Sequence, residues 1–529
     1  MTLPSRISLL TLCLSLAACS TPPTPESGIT APQAWQGEVE PSSAQLPSAQ
    51  WWRAFASSEL DRLVERARLN AHDLAAATAR VRQAQAQAVI AGAPLLPELN
   101  LGLDGSRQRL LHGKGNDQLD VSSNERTSTS FDLKLSASYE IDFWGGLRAA
   151  RTSAMHSLDA SRFDRQTVEL TLVSAVADSY LQGLALAEQL NIARLNLRNA
   201  RDVLGLVEAR QRTGSATRLE LAQQRSLVAA QERQVPLLEQ KWQDSQVTLA
   251  TLLGDPVQAL PPSREAIDAL QWPAIGSGIP SELLSRRPDI AAAEARLAAA
   301  SADVQVARAA MLPKLTLGAN LGSGANTFAR VFDSSFYTLT AGLVAPVFNN
   351  GRLRASRDLA EAEQVELLET YRGSILAGFA DVEKALNAIH GVDRQRQWQD
   401  EEVQQARLAF DLAQQRYGAG AETLLSVLET QRTLYLAQDQ QAQLRLARLQ
   451  GSVALYKALG GWVEGWAVAG RRAVDFRRLS ARLGIFSAYE IERRPRGASR
   501  RKAAPTFVSG QSCLRHRRST PCLYDAISR

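Results

Sequence analysis

Cysteine is almost absent from this chain. The 529 residues hold four, and none lies between Ser20 and Ser512, so the body of the protein has no disulfide framework. Aromatic residues make up only 6% while Ala, Leu, Gln and Arg dominate, a composition of long helices. The five histidines (72, 112, 156, 390 and 516) are dispersed, and no HExxH, CxxC or metal-spaced cluster occurs. No catalytic constellation, cofactor motif or metal site is therefore expected. Gly113-Lys114-Gly115 lacks the strand–loop–helix context of a phosphate site and reads as a polar loop. Beyond the N-terminal segment, no apolar run reaches the roughly 18 residues of a transmembrane helix. A membrane-spanning chain of this composition must span with strands.

The ends carry their own information. Arg6 precedes the apolar run Ile7–Leu16 and then Ala17-Ala18-Cys19, a basic start, a short apolar core and small residues before a cut. Residues 1–18 thus read as a lipoprotein signal peptide, with Cys19 the acylated mature N-terminus. The alternative is an ordinary signal peptide with an incidental cysteine. Ser20, and not Asp, follows Cys19, so the inner-membrane retention signal of such lipoproteins is missing. At the other end, residues 463–529 hold 15 Lys/Arg against 5 Asp/Glu, a net +10. Since the whole chain is +6, the remainder is about −4. The tail reads as a disordered extension or as chain past an altered reading frame, and a basic arm for nucleic acid or anionic lipid is the competing reading. Nucleic acid is not an expected partner outside the cytoplasm.

Between these ends the chain says almost everything twice. Asp73–Gly102 returns as Asp289–Gly318, shifted by 216 residues. Arg210–Gly214 returns as Arg416–Gly420 and Leu147-Arg148 as Leu353-Arg354, both shifted by 206. The first copy thus has a loop about ten residues longer. A unit this long is no solenoid repeat; it is a duplicated half-molecule.

Each copy contains strands. From Phe131 to Phe143, apolar residues at 131, 133, 135, 137, 139, 141 and 143 alternate with Asp132, Lys134, Ser136, Ser138, Glu140 and Asp142. This alternation gives one apolar and one wet face, over more than the 9–11 residues of a tilted membrane strand. The same period marks 99–103, 315–321 and 337–345. Four strands cannot close a membrane barrel, which begins at about eight, and an open edge in lipid leaves backbone groups unsatisfied. The chain must therefore oligomerise. Three copies of four strands give twelve; a dimer would reach eight.

The helices are very long. Gly146–Thr213 and Gly351–Gly418 contain no proline, and about 67 residues at 1.5 Å each reach roughly 100 Å. Gly-containing turns follow, then further helices over 217–253 and 423–459. A helical hairpin projects far from a strand pair, twice.

These residues resemble the TolC-like outer-membrane efflux channels, in particular the OprM/NodT-like lipoprotein branch. The matching pieces are the Cys19 lipobox, Trp51-Trp52-Arg53-Ala54-Phe55, Arg286-Arg287-Pro288-Asp289-Ile290, Leu312-Pro313, and Arg416-Tyr417 through Gln431-Arg432. The resemblance covers roughly residues 10–462 and not the tail. It implies a mainly α fold with membrane β: a duplicated strand–strand and long-helix-hairpin unit whose homotrimer forms a 12-strand outer-membrane β-barrel continued by a periplasmic α-helical barrel. Its domains would be the signal (1–18), an acylated segment (19–56), two outer membrane efflux protein repeats (57–262 and 279–462), a linker (263–278) and the tail. It further implies an exit duct of a tripartite efflux system for drugs or other small toxic compounds. The partners would be a periplasmic membrane-fusion adaptor and an inner-membrane pump, commonly of the RND type. A type I secretion outlet is a variant of this reading. A non-conducting structural or adhesive lipoprotein is the alternative from another class, and the wet-faced strand pairs argue against it, because a fibre needs no lumen.

Two sets of residues follow from these readings. At the turns farthest from the strands, Gly214 with Thr217 and Gly420 with Thr423 end one helix and cap the next. With Arg210 and Arg416 they mark the tips where the resemblance places adaptor docking. One turn apart beyond the second tip, Leu425 and Glu429 share a helix face, and the resemblance places a pore constriction there; the alternative reading of Glu429 is a solvated helix charge. The first copy has Leu219 and Gln223 at the same register, with Glu220 nearby.

Overall fold

A computed structural model describes residues 25–37, 49–109, 111, 127–261, 263, 265–273, 275–276, 278 and 280–461. The signal segment, Cys19 and the tail 463–529 lie outside the described residues.

The duplication is visible element by element. The first copy runs α1 (Ser58–Asn70), α2 (His72–Gly92), β1 (Glu98–Arg109), β2 (Thr127–Ile141), α3 (Gly146–Arg212) and α4 (Arg218–Leu253). The second runs α5 (Pro280–Arg286), α6 (Pro288–Ala309), β3 (Lys314–Ala325), β4 (Ser335–Val344), α7 (Arg352–Gly418) and α8 (Leu424–Ala458). The chain reverses or changes direction at left-handed glycines that recur 206 residues apart: Gly145 and Gly351, Gly214 and Gly420, Gly254 and Gly460, all with φ between 72° and 89°. A side chain at these positions would meet the steric cost of the left-handed region.

The strands form one antiparallel sheet in the order β1-β2-β3-β4, so the pairing of β2 with β3 joins the two copies. Register puts Leu101, Leu135, Leu321 and Tyr337 in one cross-strand row, and Asn100, Ser136, Asn320 and Thr338 in the next. The apolar rows are exposed in the protomer, with Leu101 at 73%, Tyr337 at 76% and Leu339 at 74%. Such a face is stable in lipid and not in water. β1 and β4 each have one edge unpaired within the protomer.

The helices make two stacked layers. Near the strands, α3 packs against α2 and α6, and α6 against α7; farther away, α3 packs against α4 and α8, and α8 against α7. The returning helices end against the start of the next short helix in the same way in both copies. A Cβ on Gly254 would lie 2.7 Å from the Asn70 carbonyl oxygen, and one on Gly460 would lie 2.7 Å from that of Arg286. Helix α4 continues through Pro236, which removes one backbone donor. One stretch within α3 is long and apolar enough to cross a membrane by length and composition, which the sequence reading did not anticipate, but most of it is buried within the protomer.

Where the layers meet lies the main core, with Trp51, Trp52, Phe55, Leu60, Val64, Tyr180, Leu181, Leu253, Leu449 and Tyr456. Trp51 stacks on Tyr456 at 5.0 Å between centroids. The connection between the copies is docked here. Ile267 and Leu270 are buried in this core, Gln271 donates its N–H to the Phe55 carbonyl at 3.1 Å, and the Arg396 guanidinium lies 3.5 Å over the Trp272 ring. Ser57 caps α1, accepting from Leu60 N–H at 2.9 Å, and donates to Glu265. Burial pushes the Glu265 carboxyl up, but the hydrogen bonds from Ser57, Tyr180 and backbone outweigh it and hold the group below its ordinary range.

Ahead of this core, residues 25–37 run along α7. Arg372 donates to the Ser27 carbonyl at 2.8 Å, both Glu383 oxygens accept the N–H groups of Gln36 and Gly37 at 2.8 and 3.2 Å, and Trp35 is buried.

Candidate functional site: the far ends of the helical hairpins

Both tips are built alike. In the first, Gly214 N–H donates to the Gln211 carbonyl at 3.1 Å and Ser215 N–H to the Arg210 carbonyl at 2.8 Å. In the second, Gly420 N–H donates to Tyr417 at 3.0 Å and Ala421 N–H to Arg416 at 2.9 Å. These paired bonds close a helix C-terminus through a left-handed glycine. Thr217 and Thr423 then cap α4 and α8, accepting from Glu220 N–H at 3.2 Å and Ser426 N–H at 3.5 Å.

The copies differ in how the surrounding side chains are used. Glu220 completes a capping box by accepting Thr217 N–H at 2.6 Å, so the acid noted near the first tip serves the cap. Arg210 turns inward: it donates to the Tyr417 carbonyl and its guanidinium lies 4.5 Å over the Tyr417 ring. Arg416 stays exposed, 3.8 Å from Glu422. The hydrogen bonds from Thr423 N–H and the Ser426 hydroxyl hold the Glu422 carboxyl below its ordinary range. Arg210 therefore ties the two hairpins together above a core of Val203, Val207, Phe410, Leu424 and Val427. Sequence reading placed Arg210 at the tip but missed this tie, because the residues joined are 207 apart and only the antiparallel docking of the hairpins brings them together.

Leu425 and Glu429 both lie on the exposed face of α8, Leu425 at 57%. The Glu429 carboxylate makes no hydrogen bond or ion pair with another described residue. On the opposite, buried side of α8, Gln431 donates to Tyr435 at 2.6 Å, and Tyr435 to the Asn196 carbonyl of α3 at 2.7 Å. This buried pair fixes which face of α8 is presented. An apolar side chain and an unpaired acid thus sit one turn apart on a surface the protomer leaves open.

The profile of the outer membrane efflux protein family matches residues 63–255 and 279–461, one match for each copy. The chain belongs to that family. Among curated relatives, the pyoverdine export outer membrane protein OpmQ of Pseudomonas putida is 73% identical over 466 residues, which is 88% of this chain and 98% of that one. Its namesake from Pseudomonas aeruginosa is 61% identical over 87% of this chain and 97% of that one. Among solved structures, the outer-membrane channel OprN superposes with a TM-score of 0.77 at 26% identity, covering 84% of this chain and 99% of OprN. CusC follows with a TM-score of 0.72 at 28% identity, covering 82% and 99%. The fold is that of the trimeric outer-membrane channels, and the protein is an outer-membrane exit duct of an efflux system. Members of the family are channels, and their helical part extends into the periplasm.

Proposed function

We propose that this chain is the outer-membrane outlet for a siderophore of the pyoverdine class. The observation that carries the proposal is the 73% identity over nearly the full length of a protein named for pyoverdine export. Three protomers would contribute twelve strands, closing the edges that β1 and β4 leave open. Their wet rows would line the lumen. The tips formed by Arg210, Gly214, Thr217, Arg416, Gly420 and Thr423 would receive a periplasmic membrane-fusion adaptor, which joins the channel to an inner-membrane pump; the RND class is the expectation from the resemblance. Three copies of Leu425 and Glu429 would form the constriction.

Cys19 would carry the acyl chains. Ser27 lies eight positions after it, a reach of about 27 Å when extended. The Arg372 site that holds Ser27 lies 20 residues along α7 from its strand-proximal start, about 30 Å. The two lengths are comparable, which supports a lipid at the membrane surface. The domains would be the signal, the acylated segment, the two repeats, the docked linker and the tail.

The test is export. Deleting the gene in an iron-starved host should lower siderophore fluorescence in the medium and raise it in the periplasm, with restoration by the intact gene. Unchanged siderophore in the medium, together with lost drug tolerance, would assign the duct to drug efflux instead.

A further inference from the structure

The two tips share a backbone and differ in charge, and this difference points to how a partner is received. At the first tip every carboxylate is engaged: Glu220 caps Thr217 N–H at 2.6 Å, and Glu208 pairs with Arg225 at 3.0 Å. Arg210 is held on Tyr417. Arg212 and Arg218 remain, both exposed, and neither guanidinium has an ion pair or hydrogen bond with another described residue. Between them in space sits the glycine turn, and next to Arg218 is Leu219, 67% exposed.

The second tip is an internal control. The position 206 residues after Arg212 is Gly418, and that after Arg218 is Leu424, buried to 1% exposure. Its cation at the turn, Arg416, faces Glu422 at 3.8 Å; farther from the turn, Asp411, Glu429 and Arg432 are exposed and make no ion pair with another described residue. At the turn itself, between the end of one helix and the first residues of the next, one tip therefore carries two uncompensated cations and the other none.

Arg218 is also misplaced for its own helix. It is the first residue of α4, where the helix dipole presents partial positive charge and favours an acid. A local preference broken without an internal partner marks a surface whose partner is elsewhere.

We infer that the first tip binds an acidic surface on the periplasmic adaptor through Arg212 and Arg218, with Leu219 as the apolar contact. The second tip takes the same adaptor without this charge pairing. In a trimer the six tips alternate around the periplasmic end, so adaptor copies would occupy two inequivalent seats, one salt-sensitive and one not. An anionic bilayer is the competing partner for such a cluster. It fits less well, because the cations flank a protruding turn on a narrow helical end and spread over no broad face. The inference rests on the proposal that the tips receive the adaptor.

The test uses the full-length channel in detergent and the host's cognate adaptor, identified by crosslinking to the wild-type channel and then purified separately. Arg212→Gln with Arg218→Glu removes the cluster, and the acid at position 218 favours α4, so folding is safeguarded. Binding by the wild type should weaken about tenfold between roughly 0.05 and 0.3 M salt. The double variant should bind about tenfold less tightly at low salt and lose most of that salt dependence. Arg233→Glu, on α4 well away from the tip, should behave as the wild type. Equal affinity and equal salt dependence for wild type and double variant would overturn the charge pairing while leaving tip docking intact. No binding by the wild type would overturn the docking proposal itself. Arginine-dependent binding to phosphatidylglycerol vesicles, with adaptor binding unaffected by the double substitution, would assign the cluster to lipid.

Discussion

Replacing Glu429 by Gln, alone and together with Leu425→Ala, measures how far the far end of the duct is closed. In the protomer the Glu429 carboxylate is exposed and unpaired, so its effect depends on its distance from the pore axis. Each layer has four helices per protomer, or twelve in a trimer. At about 9.5 Å between neighbours, their axes would circle the pore at a radius of about 18 Å, with inward side chains ending at about 11 Å. At that radius three carboxylates oppose an anion on the axis by about 1 kcal/mol in water, and screening over a Debye length of about 8 Å leaves about 0.3 kcal/mol. A straight, open tube would hardly select. If the tips bend inward until the Leu425 side chains approach one another, the carboxylates stand about 5 Å from the axis. The bare energy is then about 2.5 kcal/mol and the screened one about 1.3, close to a tenfold bias against anions. Reversal potentials in planar bilayers under a KCl gradient distinguish the two radii. The expectation is a cation-selective wild type, loss of selectivity in Glu429→Gln, and raised conductance when Leu425→Ala is added. A wild type without selectivity, or one whose selectivity survives Glu429→Gln, would refute the constriction.

The remaining predictions concern stability and anchoring. Ala at Gly254 or Gly460 must hold a left-handed φ and places Cβ 2.7 Å from a backbone carbonyl, so each should cost about 3 kcal/mol in denaturant melts of the detergent-solubilised protein. Thr217→Ala should cost about 1 kcal/mol through its capping box, and Thr423→Ala less, because its cap bond is 3.5 Å long. Burial pushes the Asp178 carboxyl up to about 6 despite the opposing pull of Lys457, and its Oδ1 has no partner. The folded value lies above the unfolded one of about 3.9, so this site favours folding below about pH 4, and that advantage is lost as pH rises through 6. Asp178→Asn should therefore stabilise the protein at pH 7.5, by up to about 3 kcal/mol, and bring no gain at pH 4. Cys19→Ser should abolish labelling by palmitate; persistent labelling would place the acyl chain on another residue.

Much of the fold was legible because it rests on short-range periodicity. Alternation at 131–143 marks a strand with two unlike faces whatever surrounds it, and the β2 span Thr127–Ile141 contains most of that run. The proline-free stretches became α3 and α7 at 67 residues each. Repetition at a shift of 206 placed the glycine turns, since a left-handed residue is a local requirement. The docked part of the connection between the copies, 265–273, was less legible. Ile267, Leu270 and Trp272 read as isolated apolar residues between turns, and only the cleft where the helical layers meet gives them something to bury against.

By itself, then, the sequence determined which segments are strands and helices, that the unit occurs twice, and that four strands leave edges needing further copies. These follow from steric and solvation rules acting over a few residues. Tertiary structure decided how equivalent residues are used. It turned Arg210 onto Tyr417 while leaving Arg416 exposed, and left Arg212, Arg218 and Glu429 unpaired on the surface. The physical reason is that Arg210 meets Tyr417, 207 residues away, only through the packing of one hairpin on the other.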